Sequence, residues 1–310
     1  EVDLDRPVAI KLLPPDMAAS PGLRARFLQE ARTAAKLSHP NIIPIHVVDE
    51  VEDFVFFAMA FVDGETLAER VRRRGPLPPS EAARLLREVA WALAHAHAHG
   101  VVHRDVKPDN ILLEAGTGRA LVADFGIAAA AGAGPAEVTG TPEFMSPEQA
   151  LGKSVDARSD IYAFGAMAYF TLSGRLPFEG RSPTEVLARQ VTEAPQPLTT
   201  VAGALPRKLV QIVEHCLAKD PAERPQSAEV VGEQLGLALE QRRELPVALR
   251  AFVKHSSRLD GGAALIYPFA LLIGAGVVAS SVQSGAVFLG TLIGGMTLVP
   301  LGVLMNRARR

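Results

Sequence analysis

The hydrophobic pattern alternates between strand and helix periods along most of the chain, then loses its charged positions altogether near the end. It opens on Val8-Ala9-Ile10-Lys11-Leu12-Leu13, a short apolar run with one lysine that Pro14-Pro15 stops, which predicts a buried strand. Ser20-Pro21 then supplies an N-cap and a first-turn proline, and Phe27, Leu28, Ala31, Ala34 and Leu37 recur at helical spacing over 24–37. Ser38-His39-Pro40-Asn41-Ile42 breaks this helix and leads into strands around 43–48 and 54–60. Thr66 to Val71 is a short amphipathic piece with a basic end, Arg72-Arg73-Arg74. Those arginines suit a helix C-terminus, whose dipole favours cations, or a patch for an acidic partner.

Pro79-Ser80-Glu81 begins a long helix through His99, with Leu85, Leu86, Val89, Leu93 and Ala96 on one face and Gly100 as its stop. Near its end His95 and His99 share a face while His97 points elsewhere; no carboxylate or cysteine completes a ligand set there, so a plain helix end is favoured over a metal site. Ile111-Leu112-Leu113 and Ala120-Leu121-Val122-Ala123 bracket a glycine-rich turn and read as a hairpin. Beyond it the pattern is helical, with an apolar helix beginning at Asp160-Ile161-Tyr162-Ala163-Phe164-Gly165 and another pattern from Val230 to Leu249.

An uncharged run from Gly261 to Asn306 follows. At 1.5 Å per residue its length is about 69 Å, roughly two crossings of a ~30 Å hydrocarbon core. The polar island Ser280-Ser281-Val282-Gln283-Ser284-Gly285 divides it near the middle. Basic residues flank both ends: Arg250, Lys254 and Arg258 before, Arg307, Arg309 and Arg310 after. The expectation is a basic linker over 241–260 and a membrane hairpin of two helices, 263–282 and 286–305, with both ends cytoplasmic. Two buried helices of a soluble core are the competing reading, and Gly290-Thr291-Leu292-Ile293-Gly294 hints at a helix contact.

Composition narrows the picture further. In 310 residues, 32 basic side chains balance 34 acidic ones, which gives no reason to expect nucleic acid as a partner. A single cysteine, Cys216, excludes an internal disulfide and any multi-cysteine metal site, and reads as a small buried hydrophobe. The chain shows neither an initiator methionine nor a signal peptide at its start.

Candidate chemistry concentrates in His103-Arg104-Asp105-Val106-Lys107-Pro108-Asp109-Asn110. Pro108 forbids regular helix there and biases Lys107 towards an extended backbone, so the segment is a rigid loop. It resembles the catalytic loop of protein kinases of the Ser/Thr form. Further motifs stand in family order around it: Val8-Ala9-Ile10-Lys11, Glu30 in the first helix, Met59-Ala60-Phe61-Val62-Asp63-Gly64, Asp124-Phe125-Gly126, Thr139-Gly140-Thr141 and Ser146-Pro147-Glu148, where serine replaces the more usual alanine.

The resemblance is to bacterial eukaryotic-like (Hanks-type) Ser/Thr kinases and covers about residues 5–235. It implies an α+β, bilobal fold: a partial, mainly β N-lobe over 1–62 and a helical C-lobe over 63–240. By resemblance Asp105 is the base that aligns a substrate hydroxyl, Lys107 sits against the γ-phosphate, and Lys11, paired with Glu30, orients ATP. Asn110 and Asp124 would hold Mg²⁺, or Mn²⁺ in its place. Ala9, Met59, Ala60, Val62 and Leu112 would surround adenine, with Met59 at the rear. Asp160 would be spent on backbone amides of the catalytic loop, and Glu148 would pair with Arg224.

Thr141 would be the substrate-loop threonine. Arg104 marks a kinase whose activation loop is ordered by a docked phosphate. From Gly126 to Val138 there is no Ser, Thr or Tyr, so Thr139 and Thr141 are the only hydroxyls left and Glu137 could offer Arg104 a permanent anion. No Gly-x-Gly-x-x-Gly precedes Val8, which reads as an N-terminally truncated record. The function expected is membrane-anchored phosphoryl transfer from ATP to Ser/Thr hydroxyls of proteins. A pseudokinase or a nucleotide-binding signalling scaffold is the alternative.

Overall fold

A computed structural model describes residues 6–14, 18–51, 54–125 and 141–240. The chain divides into two compact units, 1–243 and 244–310, and the first contains every described residue. The expected hairpin over 263–282 and 286–305, its linker, and Gly126, Glu137 and Thr139 all lie outside the described residues. Among the described residues no helix is long and apolar enough to cross a membrane.

Three antiparallel strands, β1 (Val8–Leu12), β2 (Ile45–Val51) and β3 (Phe54–Ala60), form a sheet in the order β1-β3-β2. Helix α1 (Pro21–Ala34) packs on one face of it. Phe27 of α1 meets Phe57 of β3 with ring centroids 5.8 Å apart, and Leu13, Leu28, Ala31 and Val55 complete this small core. The strand at 8–12 is not buried on both sides, contrary to the pattern of its sequence. Among the described residues it is the outer strand of the sheet, and Ile10 and Leu12, on the face away from α1, stand 60% and 54% exposed. Ser20 occupies the N-cap of α1 with Pro21 behind it, yet its side chain makes no capping hydrogen bond.

A second small sheet joins β4 (Gly64–Thr66), β5 (Ile111–Glu114) and β6 (Ala120–Val122), with Leu112 opposite Leu121 in the expected hairpin. Helix α2 (Leu67–Arg74) starts with a capping box, Thr66 accepting from Glu69 N–H while Glu69 accepts from Thr66 N–H at 2.8 Å. Helix α3 (Pro79–Ala98) buries Leu85, Leu86, Val89, Leu93 and Ala96, the face its periodicity selects. The helical layer continues through α4 (Pro147–Ala150), α5 (Ala157–Ser173), α6 (Pro183–Thr192), α7 (Leu198–Val201), α8 (Arg207–Cys216) and α9 (Ala228–Glu240).

Helix α5 is buried nearly all round, which is why its sequence shows so few polar positions. Its Gly165 lets α8 approach closely, since a Cβ there would lie 2.8 Å from Cys216 Cβ. Cys216 is itself fully buried, and burial pushes its thiol up to about 12. Each large apolar side chain taken wholly into this core contributes roughly 1.5–3 kcal/mol. The result is a rigid floor beneath the loop at 103–110.

Candidate active site

The loop between α3 and β5 carries the expected residues, and its shape is set from below by Asp160. That carboxylate, 1% exposed on α5, accepts from His103 N–H and Arg104 N–H, each at 2.7 Å. It also accepts from His97 Nε2 on α3 at 2.7 Å, a partner to which the sequence assigned no role. With both oxygens spent, Asp160 ties two helices to the loop backbone. Arg104 is held at φ 65, a left-handed conformation unusual outside glycine and characteristic of constrained functional segments.

His103 locks the loop to the strand that follows. Asp105 N–H donates to His103 Nδ1 at 3.3 Å, so the ring proton sits on Nε2 and is donated to the Ala123 carbonyl at 2.8 Å. The ring also packs, tilted by 53°, against Phe125 with centroids 4.7 Å apart. Lys107 has the extended backbone that Pro108 demands, and 108–110 form one 3₁₀ turn. The turn aims Asn110 back at Asp105: its Nδ2 donates to the Asp105 carbonyl at 2.8 Å and to Asp105 Oδ2 at 3.1 Å.

Lys107 Nζ lies 2.7 Å from Asp105 Oδ2 and donates to Thr141 Oγ1 at 2.9 Å. Base candidate, cation and substrate-loop threonine thus form one connected group. The segment after Thr141 is anchored by Gln190 of α6, which is fully buried and donates to the Glu143 carbonyl at 2.8 Å. Ser146 caps α4 in a capping box with Gln149, a Ser-x-x-Gln signature present in the sequence though not used in its reading. Gln149 Nε2 donates in turn to the Arg104 carbonyl at 2.9 Å, joining the substrate segment to the catalytic loop.

Lys11 corrects one expectation. Its ammonium pairs with Asp124 Oδ2 at 2.7 Å, not with Glu30. Glu30 instead pairs with Arg26, four residues earlier on α1, at 3.1 Å. The local i,i+4 geometry supplies Glu30 with a cation that needs no cross-sheet reach. Its second oxygen, Oε2, is buried without a hydrogen-bond partner, and it lines a cavity of about 140 Å³ with Thr33, Arg104 and Phe125.

Asp124 adopts φ 61, and its Oδ1 is buried without a partner. The residue before it, Ala123, donates its N–H to the Asn110 carbonyl at 2.9 Å, and the Asn110 amide nitrogen is spent on Asp105. An orphaned carboxylate oxygen and a free amide oxygen on these linked segments fit a hard divalent cation with oxygen ligands. Among the described residues no group of three His, Cys, Asp or Glu side chains forms a metal site. At the end of α3 the His95 and His99 rings lie tilted to one another with centroids 4.4 Å apart, and His97 turns away to Asp160.

Above the catalytic loop, Met59, Ala60, Val62 and Leu112 pack around Ile43, Leu121 and Ala123 in one apolar cluster. Ala9 stands opposite Met59 in the β1–β3 register, at the rim of this cluster. Ala60 N–H donates to the Pro44 carbonyl at 3.0 Å. A larger cavity of about 530 Å³ lies elsewhere, between Leu151, Arg158 and Lys219, and shares no residue with the catalytic loop.

Glu148 and Arg224 pair as expected, in a fork at 2.7 and 2.8 Å. Arg224 is buried, and its remaining donors go to the carbonyls of Ala218, Arg158 and Lys219 at 2.8–2.9 Å. Burial alone would raise the Glu148 carboxyl, but hydrogen bonds from Arg224 and Ser159 overcome it and hold the group below the usual carboxylate range.

The geometry agrees with what the chain resembles across known proteins. The protein kinase domain family matches residues 1–235. The serine/threonine-protein kinase pkn2 of Myxococcus xanthus is 41% identical over 249 residues, 77% of this chain and 30% of that protein. The serine/threonine-protein kinase PknB of Mycobacterium leprae is 40% identical over 237 residues, covering 74% of this chain and 38% of that protein. PrkC of Bacillus subtilis, also a serine/threonine-protein kinase, is 36% identical over 247 residues, covering 78% and 38%. The matches therefore span less than half the length of these relatives. Among solved structures, the PknI kinase domain of Mycobacterium tuberculosis superposes with a TM-score of 0.60 at 33% identity, covering 74% of this chain and 85% of that one. The fold, the Asp105–Lys107–Asn110 loop and these relatives lead to one conclusion: the chain belongs to the protein kinase family.

Proposed function

We propose that the chain is a Ser/Thr protein kinase that transfers the γ-phosphoryl group of ATP to protein hydroxyls. The observation that carries this reading is the group formed by Asp105, Lys107, Asn110 and Thr141, joined by contacts of 2.7–3.1 Å. Phosphoryl transfer needs little covalent help from the protein, so positioning and charge are the chain's contributions. Asp105 orients the acceptor hydroxyl and receives its proton as the hydroxyl oxygen bonds to the γ-phosphorus and ADP departs. Lys107, pinned between Asp105 and Thr141, places a positive charge where the transferred group gathers negative charge.

The cluster of Met59, Ala60, Val62 and Leu112, with Ala9 at its rim, offers adenine an apolar slot. Lys11, 2.7 Å from Asp124, lies within reach of the phosphates of a nucleotide seated there, and Glu30 would steady it once released from Arg26. Asn110 and Asp124 would hold Mg²⁺ or Mn²⁺, which when bound neutralises phosphate charge.

The test is transfer from labelled ATP by the full chain and by Lys11→Met, Asp105→Asn and Asp124→Asn. Each variant should lose most turnover while melting within a few degrees of wild type. Near-wild-type turnover in any of them would refute that residue's role. Nucleotide binding by the wild type without any transfer would favour the pseudokinase alternative.

The apolar run over 261–306 with its basic flanks supports anchoring to the cytoplasmic face of a cell membrane by a two-helix hairpin. A Ser284→Cys variant and an Ala308→Cys variant, both in a Cys216→Ser background, should label from opposite sides. Labelling of both from one side would refute the hairpin.

A further inference from the structure

The basic end of α2 finds no part in the chemistry above, yet the fold sets it beside the catalytic turn. Helix α2 packs against the 3₁₀ turn at 108–110, and Arg72 Nη2 lies 3.6 Å from Asp109 Oδ1, one residue before Asn110. Arg73 and Arg74 both turn to a single carboxylate, Glu65 of β4, the second at 3.2 Å. Arg70 donates to the Gly75 carbonyl at 3.3 Å, and Glu69 is committed to the helix cap. Four guanidiniums thus meet three carboxylates, Glu65, Glu69 and Asp109, which leaves one positive charge in excess.

Exposure sharpens the imbalance. The side chains of Arg72, Arg73 and Arg74 are 57–64% exposed, whereas Glu65 beneath them is 20% exposed. What meets the solvent is therefore a row of cationic forks. The Arg72–Asp109 contact is long and open to water, and such pairs exchange partners at little cost. A solvated helix end would account for cations on α2, but not for Arg72 reaching the turn that carries Asn110 while Arg73 and Arg74 share one carboxylate beside it.

We propose that Arg72, Arg73 and Arg74 form a specificity surface for acidic protein substrates, taking an anionic side chain near the acceptor hydroxyl. The proposal rests on the kinase reading above. The chemistry recognised is a carboxylate or a phosphoryl group, since the planar guanidinium fork suits both.

Four peptides with one shared acceptor threonine test it: flanked by Asp/Glu, by neutral residues, by Lys/Arg, and with phosphoserine replacing the acidic residue. For the full chain at low salt, kcat/KM for the Asp/Glu peptide should exceed that for the neutral one by about 5-fold, equivalent to roughly 1 kcal/mol, through a lower KM. The advantage should fade near 0.5 M salt, where the screening length falls to a few ångströms. The variant R72Q/R73Q/R74Q should lose the preference while keeping the neutral peptide's kcat. Arg207→Gln/Lys208→Gln, on the remote α8, should retain it. A greater gain with phosphoserine than with Asp/Glu assigns the surface to previously phosphorylated substrates.

Equal treatment of all peptides by the wild type, or an undiminished preference in the triple variant, overturns the proposal. So does arginine-dependent binding to phosphatidylserine vesicles with no effect on peptide preference. Fluorescence anisotropy of the same peptides reads the surface without turnover. An acidic preference in binding that the triple variant lacks, with no transfer to any peptide, would refute the kinase reading while this surface stands.

Discussion

Removing Glu148 should cost far more stability than its place on a four-residue helix suggests. The Arg224 side chain is 0% exposed, and two of its five donor contacts end on Glu148. Glu148→Ala leaves the guanidinium on the carbonyls of Ala218, Arg158 and Lys219, which satisfy its hydrogens but not its charge. An uncompensated buried charge of this kind costs about 3–5 kcal/mol. For a domain of this size the melting temperature should fall by roughly 6–20 °C. Arg224→Met should cost a similar amount by stranding the carboxylate, which keeps the Ser159 hydroxyl at 2.5 Å and its own backbone N–H but no cation. The double variant Glu148→Ala/Arg224→Met removes both charges and should cost much less than the sum of the two, with a coupling energy of about 2 kcal/mol or more.

Thermal and urea melts of the four proteins, followed by circular dichroism, measure that cycle. Losses that simply add would refute the reasoning, because a pair that does not couple is not holding the segments together. The pH dependence gives an independent check. The Glu148 carboxyl lies below its unfolded value of 4.5 when folded, so its contribution is fully present above that value and is lost as pH falls through the lower, folded value. Wild type should therefore lose stability below about pH 4.5 more steeply than the double variant.

Two further outcomes are expected. His97→Ala removes one donor from Asp160 and leaves its buried Oδ2 on the His103 amide alone; stability should drop by about 1–3 kcal/mol, and the kcat for transfer should fall with KM for ATP nearly unchanged, as measured by melts and steady-state kinetics. Cys216, fully buried with its thiol pushed up to about 12, should resist maleimide at pH 7.5 in the folded chain and react promptly in urea, as mass spectrometry would report.

Much of the site was legible before any coordinates because its chemistry is local. The eight residues from His103 to Asn110 fold on themselves, and a proline, an extended lysine and a 3₁₀ turn follow from their order. The long-range contacts were legible only through resemblance: nothing in spacing alone brings Asp160 to the amides of 103 and 104, or Glu148 to Arg224. Those that escaped notice are of two sorts. Helical phase set His97 apart from His95 and His99, but only the α3–α5 packing gives it Asp160 as a partner. Glu30 was read as the partner of Lys11, but a local arginine and the nearness of Asp124 give both residues other partners. The exposure of one face of β1 was equally hidden, because an apolar run does not say whether a sheet is covered on one side or two.

The hold of Asp160 on the catalytic loop acts through peptide N–H groups, which every residue except proline possesses. The backbone at 103 and 104 is thus held independently of the Asp105 side chain, the proposed base. A copy disabled at Asp105 would keep its loop, its substrate segment and its outer surface. In a cell holding both forms, such a copy would compete with active ones for the same targets and behave as a dominant inhibitor. Mutational decay of activity in this chain need not pass through misfolding, so catalytically silent descendants could persist as folded competitors.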